Sequence, residues 1–392
     1  VPLATGALKA FRTNVVGSGL KLKSQIDFEF LGMSEDEARE LERKIEQEFS
    51  LWADSTACDI ERLDNFSELQ QLAFLNWLMS GDVLVTLPTT KRPGMPYDLR
   101  VRLIEADRLS NPMGNTDPHI IGGVEVNAAG EVTAYHISTH HPLSWEYSET
   151  KWTRVEAYGA ATGRRNVLHV MNRERIGQRR GVPFLAPVIE ALKQLGQYTD
   201  AELTAAIVSG LFTVAIEKDE NSEDMVGAFE GEEQQADGGE ENTVELEPGL
   251  VWDLAKGEKA TPLTPGRPNA NFDSFVTSIC RQIGAALEIP YEILLKHFTS
   301  SFTASRGALL EFWKAIKMQR SWLANDFCQP IFEEWLAEAV AKGRIAAPGF
   351  FADPLVRRAY CRTEWNGPAQ GLLNPVQEVE AAAKRVENYF ST

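Results

Sequence analysis

The sequence predicts an α+β protein, and three observations carry that expectation. The hydrophobic period is helical up to about residue 80, changes to two from Asp82 to about Met171, and becomes helical again from Pro183. A strongly acidic block, residues 217–247, interrupts the second helical region. A final stretch, 304–342, steps its apolar residues by sevens, as in Leu309, Ile316 and Leu323.

Taken in order, Ser34-x-x-Glu37 is a capping box opening a helix to about Trp52, and Asn65-x-x-Glu68 opens a second that Gly81 closes. Strands follow in "VLVTL", "LRVRLIE", "GGVEVN" and "VTAYHIS", with a hairpin turn at Asn127 to Gly130, and "VLHVM" (167–171) ends the group. Arginines then cluster at 164, 165, 173, 175, 179 and 180. Pro183 and Pro187 stand where a helix start tolerates proline. From Leu185 to Leu211 the apolar spacing predicts a helix of roughly 28 residues, about 42 Å long. "VELEPGLVWDL" reads as a hairpin at the end of the acidic block, and "PLTPGRPNANF" as an extended linker. A helix is expected over 272–287, stopping before Pro290, and "EIPYEILLKHFTSSF" reads as a short helix and loop. The last long helix should kink near Asp326, because Pro330 has no N–H to donate there, and Lys342-Gly343 should end it. A chain that opens on Val1 and stops two residues beyond a helical pattern reads as trimmed.

Composition narrows the function classes. A chain of 392 residues with 19 Phe and 9 Trp can bury the cores of two or three domains. Apolar runs stay well short of the ~20 residues a membrane helix needs, so no membrane partner is expected. Cys58, Cys280, Cys328 and Cys361 are too scattered for a zinc site or disulfide framework, and read as buried thiols. The net charge of −17 is local: residues 217–247 hold 13 acids and one base, while the other 361 residues hold 43 acids and 38 bases. Such a block cannot grip nucleic acid by counterion release, which needs Lys and Arg.

Catalytic signatures are weak. No Gly-Lys dipeptide exists for a phosphate-binding loop, and G-x-S-x-G and H-E-x-x-H are absent. His136, His140 and His141 form the one histidine cluster; without acidic or Cys partners at useful spacing they read as strand-edge surface residues. Glu105 and Asp107 can form a carboxylate couple, but a salt bridge or turn cap explains Asp107 better. Ser301, Thr303 or Ser305 reads as a helix N-cap rather than a nucleophile. No catalytic residue, metal or cofactor is expected. Arg173, Arg175, Arg179 and Arg180 are expected to pair with acids of a neighbouring subunit, with phosphate as the alternative.

Several stretches together resemble one family, the lambda-type portal proteins of tailed phages. They are "FRTNVVGSGLKL", "SGDVLV", "RLIEADRLSNP", "AYHI", "NVLHV", "RGVPFLAPVIEALKQLGQYTDAEL", "IGAALEIPYEILLK", "TASRGALLEFWK" and "FCQPIFEEWLAEAVAKGRI" followed by "APGFF" and "DP", in the family's order over nearly the whole chain. The departures lie at the ends, where a leading basic or disordered segment and a tail beyond Thr392 are expected of such proteins. The resemblance implies a portal fold: a wing over 1–182, stem helices over 183–212 and 270–289, and a clip over 213–269. A tunnel-loop region over 290–303, a long kinked helix over 304–342 and a return to the wing or crown base over 343–392 complete it.

It also implies a ring of about twelve copies, since soluble homo-oligomers close by symmetry. The ring would sit at one capsid vertex of the virion, assembled in the bacterial host cytoplasm, and pass double-stranded DNA at packaging and ejection. Implied partners are the terminase large subunit, the major capsid or scaffold protein and the head-completion connector protein. The DNA-facing loop would comprise Lys296, His297, Phe298, Thr299, Ser300, Ser301, Phe302 and Thr303. The clip contacts would involve Glu217, Asp219, Glu220, Glu230, Glu232 and Glu233. Two other classes stay open on residues alone: a metal-dependent hydrolase or nuclease using Glu105, Asp107 and a histidine, and an acidic adaptor that mimics DNA.

Overall fold

The computed structural model describes residues 2–145, 150–211, 214–218, 258–262, 271–297, 302–370, 379–380, 383–384 and 386–387. It divides into two compact units, one of residues 1–189 with 284–392 and one of residues 190–283.

The first unit begins with helix α1 (Pro2–Val15), strand β1 (Lys21–Ser24) and a short helix α2 (Phe28–Leu31). Both expected capping boxes form. Ser34 caps α3 (Glu35–Ala53) with Glu37 answering, and Asn65 caps α4 (Phe66–Ser80) with Glu68 answering. Each box satisfies two N–H groups that a helix start otherwise leaves without partners. Gly81 ends α4 at φ 91°, a left-handed conformation that costs glycine nothing.

Seven strands follow: β2 (Asp82–Thr86), β3 (Arg102–Glu105), β4 (Ile120–Ile121), β5 (Val124–Val126), β6 (Val132–Ser138), β7 (Trp152–Glu156) and β8 (Val167–Met171). They make an antiparallel sheet in the order β3-β2-β8 and another in the order β4-β5-β6-β7. Leu84, Ile104 and Val167 of the first sheet share a core with Val124, Tyr135 and Ile137 of the second. The predicted hairpin turn forms, with Asn127 Oδ1 accepting the N–H groups of Ala129 and Glu131.

The second unit is built on two helices, α5 (Ile189–Leu211) and α6 (Phe272–Ala286). The expected start of α5 at Leu185 is displaced, because Ala186–Val188 with Pro187 inside it forms a 3-10 turn, leaving 23 α-helical residues. Tyr198 of α5 stacks on Phe272 at 5.7 Å and meets Phe275 at 4.7 Å, which joins the pair. Between them β9 (Val214–Lys218) pairs antiparallel with β10 (Glu258–Pro262), so the acidic block is bracketed by a two-stranded ladder. The hairpin expected in "VELEPGLVWDL" and most of the expected linker lie outside the described residues.

Back in the first unit come α7 (Tyr291–Leu295), α8 (Phe302–Leu323), one π-helical turn (Ala324–Cys328) and α9 (Gln329–Ala341). The break expected at Pro330 takes this π form: proline offers no N–H to the carbonyl of Asp326, and the ladder widens there. The widened turn carries Phe327 into the core, where it stacks on Phe66 at 5.8 Å. Gly343, at φ 70°, closes α9, with the N–H of Arg344 reaching the carbonyl of Ala339. Helix α10 (Pro354–Tyr360) and β11 (Thr363–Asn366) complete the fold; β11 pairs with β1, Lys21 opposite Asn366. This pairing across the length of the chain, and helix α1, are absent from the sequence-based expectations.

Gly81 and Gly181 cross with backbones touching: a Cβ on Gly181 would lie 1.8 Å from the carbonyl oxygen of Gly81. Gly177, four residues before Gly181, has open space around it. Gly181→Ala should therefore lower stability by roughly 3 kcal/mol or more, as overpacking does when backbone must move. Gly177→Ala should be near neutral in the same urea titration.

Candidate functional site

Asp82 opens β2 and is only 1% exposed. Its carboxylate accepts bonds from Arg180 Nε at 2.7 Å, Arg180 Nη2 at 3.2 Å and the Gly181 N–H at 3.0 Å, and lies 3.0 Å from His169 Nε2. Burial pushes the carboxyl up, but His169 and Arg180 outweigh it and hold Asp82 down at about 2. Arg180 Nη1 also donates to the carbonyls of Leu109 (2.6 Å) and Gly122 (3.0 Å), and Nη2 to that of Ala106 (2.8 Å). These bonds use the guanidinium's full set of N–H donors.

Arg180 thus spends its donors within its own chain. Arg179 donates to the carbonyl of Gly130 at 2.8 Å, and Arg173 to that of Ile176. Arg173 and Arg175 stand exposed on the same loop, folded around Gln178, whose Oε1 accepts the N–H groups of Glu174 and Arg175.

The expected loop is rooted at both ends. Pro290 leads into α7, and Lys296 ends it in a left-handed turn at φ 54°. The His297 N–H closes on the carbonyl of Glu292 at 3.0 Å. Lys296 and His297 are exposed. Phe298, Thr299, Ser300 and Ser301 lie outside the described residues, while Phe302 and Thr303 begin α8. Thr303 and Ser305 therefore sit within the helix and cannot be its N-cap. In the last turn of α8, Arg320 clasps the end of α1: its Nε donates to the carbonyl of Val15 (3.1 Å), and Nη2 to those of Asn14 (2.8 Å) and Pro368 (2.9 Å). The carbonyls of Asn14 and Val15 are among those that a helix C-terminus leaves open.

Of the clip residues, Glu217 lies on β9 opposite Lys259. Asp219, Glu220, Glu230, Glu232 and Glu233 lie outside the described residues.

The histidine expectation needs correcting. His136 is on β6, inside its sheet, buried and 3.0 Å from Glu125, which Arg154 also grips through two bonds of 2.8 Å. Arg154 first, and His136 after it, hold Glu125 down at about 2 against the opposing effect of burial. His140 falls beyond the end of β6, so it shares no strand face with His136. Asp107 faces His141 at 3.4 Å. Among the described residues, no group of three or more His, Cys, Asp or Glu is arranged to hold a metal ion. The four cysteines are free and buried, and burial pushes the Cys58 and Cys361 thiols up to about 12.

Sequence reasoning passed over Asp82 and Arg320. A charged residue opening an otherwise apolar strand, directly after a helix-ending glycine, was the available signal for Asp82. A depressed carboxyl stabilises the fold above the ordinary carboxylate range, and that contribution disappears as pH falls through the folded value. Asp82→Asn should cost roughly 3 kcal/mol at pH 7, by breaking a charge-assisted network whose acid is buried and whose guanidinium is partly buried. Urea midpoints measured from pH 5 to pH 2 should converge for the two proteins, the parent losing about 2 kcal/mol more than the variant over that window.

Comparison with known proteins places the chain. The family model described as phage portal protein, lambda family, matches residues 1–320. Portal protein B of Escherichia phage lambda is 24% identical over 408 residues, covering 99% of this chain and 76% of that protein. The portal protein of Escherichia phage N15 is 24% identical over 409 residues, with the same coverages. Among solved structures, a chain of the virion of the native gene transfer agent particle covers 83% of this chain and 78% of its own, with a TM-score of 0.47 at 15% identity. With the family match extending from the first residue through most of α8, the chain belongs to the lambda family of phage portal proteins.

Proposed function

We propose that the chain is one subunit of a ring of about twelve copies, closed by rotational symmetry. The ring forms a channel at one capsid vertex of the virion, through which double-stranded DNA enters at packaging and leaves at ejection. It is assembled in the host cytoplasm and acts without catalysing a reaction.

The observation that carries this reading is the segregation of charge. Thirteen of the chain's 56 acids fall in residues 217–247, within a segment bracketed by β9 and β10, while the rest of the chain is close to neutral. A channel for a stiff polyanion must not adhere to it: basic walls would exchange counterions and brake the DNA, whereas acidic or neutral walls let it slide.

In the same reading, residues 1–182 form the wing, and 183–212 and 270–289 the stem. The clip, 213–269, docks the terminase large subunit and the head-completion connector, and the outer face meets the major capsid or scaffold protein. Residues 296–303 line the channel, with Lys296 and His297 giving a modest positive ring. Their exposure and the rooting of the loop by α7 and α8 support that role. The exposed Arg173 and Arg175 remain for acids of a neighbouring subunit.

Native mass spectrometry and class-averaged electron microscopy of the purified protein should give rings of about twelve subunits with an open centre. A stable monomer that binds a basic partner tightly would favour the adaptor reading instead. Replacing both Lys296 and His297 with Ala should reduce DNA retention in filled particles while leaving ring formation intact. Unchanged packaging and retention would remove the loop from the channel.

A further inference from the structure

We propose that Arg175 of one copy seats in a small acidic cleft of the next, a head-to-tail contact around the ring. The inference rests on the ring reading above and names the acids that the exposed arginine meets.

The cleft lies beside β3 in the first unit and has a volume of about 170 Å³. Leu69 and Leu72 of α4 and Leu103 of β3 supply its apolar surface, and Glu61, Asp64 and Glu105 its charge. Its lining holds no Lys, Arg or His. Asp59, buried in the same lining, accepts the N–H groups of Glu61 (3.1 Å), Leu63 (2.9 Å) and Asp64 (3.3 Å) and so fixes the loop that brings two of the acids there. Among the described residues no ion pair engages Glu61, Asp64 or Glu105. Burial, with Glu68 and Asp59 after it, pushes the Asp64 carboxyl up, as crowded acids without a counterion do.

Size and chemistry select the occupant. The cleft is smaller than the ~300 Å³ at which ordinary ligand sites begin, so it suits one long side chain. Leucines beside carboxylates match a side chain with an apolar stem and a cationic head. Of the two candidates, arginine carries the fork of N–H groups that can answer more than one carboxylate.

Arg175 fits that description. Its neighbours on the loop are spent: Arg180 on Asp82, Arg179 on the carbonyl of Gly130 and Arg173 on that of Ile176. The exposed Arg175 guanidinium has no partner among the described residues. Gln178 holds the loop in shape, its Oε1 accepting the Glu174 and Arg175 N–H groups and its Nε2 donating to the carbonyl of Arg180 at 2.8 Å. A held loop loses little freedom on binding. Ile176, 94% exposed, stands next to Arg175, as Leu63 at 71% does to the cleft's acids, so each patch also brings apolar surface to the contact.

Charge over the whole segments agrees. Residues 172–179 carry three bases and one acid, residues 59–68 four acids and one base, and residues 102–108 two of each. Topology puts the two patches apart. In the sheet β3-β2-β8 the cleft lies at the β3 edge, whereas the arginine loop leaves the end of β8, the opposite edge. Different patches on opposite edges pair heterologously, the arrangement that generates rings when its rotation closes. The occupant is therefore assigned as a second copy of this chain.

The test is charge reversal in the full chain: Arg175→Glu, Glu105→Arg, and the two combined. Each single change should raise the concentration at which rings dissociate by about tenfold or more, because like charges then meet across the contact. The combined variant should recover to within about threefold of the parent, since the pair is restored in reversed order. The melting temperature of the dissociated chain should stay the same throughout; if Glu105→Arg lowers it, Glu61→Arg takes its place. Single variants whose rings are as stable as the parent's, or a combined variant no better than the weaker single one, overturn the proposal while leaving the ring reading intact. If the parent forms no ring under any condition, both readings fall together.

Discussion

A buried carboxylate has to be answered by donors, and the first unit is organised around one that is. Asp82 sits where α4 ends and β2 begins, out of water, and takes its bonds from Arg180, His169 and the Gly181 N–H. Arg180 in turn spends its remaining donors on carbonyls of the 106–109 turn and the β4–β5 turn. One ion pair thereby fixes the three-stranded sheet, the second sheet and the segment leading to Pro183 in a single arrangement. Removing Arg180 would strand Asp82 in a low-dielectric interior, which is why breaking such a pair costs far more than the pair adds. The contact of Gly81 with Gly181 has the same origin: only backbones without Cβ atoms can approach closely enough for the Gly181 N–H to reach Asp82.

A second constraint comes from the long helical run. Its π turn brings Phe327 onto Phe66, while Phe49 sits among Phe66 (5.6 Å), Phe332 (5.5 Å) and Trp335 (5.1 Å) in edge-to-face contacts. Rings arranged this way gain from their quadrupoles as well as from burial. Polar clasps then attach neighbouring chain segments to the run. Glu338 accepts the N–H groups of Asp98 (2.6 Å) and Leu99 (2.9 Å), and Arg344 grips Glu48 through both nitrogens. Gln329 donates to the carbonyl of Cys361 at 2.7 Å, next to β11. Through β11 and β1 the two ends of the unit are held to the same core.

These constraints bear on function because they leave the exposed segments supported from behind. Arg320 joins the last turn of α8 to α1, and α7 leads into the segment carrying Lys296 and His297 through a fixed left-handed turn. Charge follows the same division. The described core pairs its charges locally, as in Glu125 with Arg154 and His136, whereas most of the excess of acid lies in residues 217–247. In the channel proposed above, that separation would keep the walls from gripping a polyanion.

The amino-acid sequence by itself determined whatever depends on neighbours a few residues away. The capping boxes at Ser34 and Asn65, the turn at Asn127, the glycine stops at 81 and 343 and the break before Pro330 are all local chemistry, and their residue types announce them. The family's ordered stretches and the position of the acidic block were legible for the same reason: both are properties of the linear chain. Tertiary structure alone decided where Arg180 points. A loop arginine looks the same in sequence whether it faces solvent, a second subunit or a buried aspartate 98 residues away. The burial of His136, the pairing of β1 with β11 and the choice of a π turn rather than a simple kink were likewise settled by packing. Each depends on which distant surface arrives to cover it, and periodicity within one segment carries no information about that.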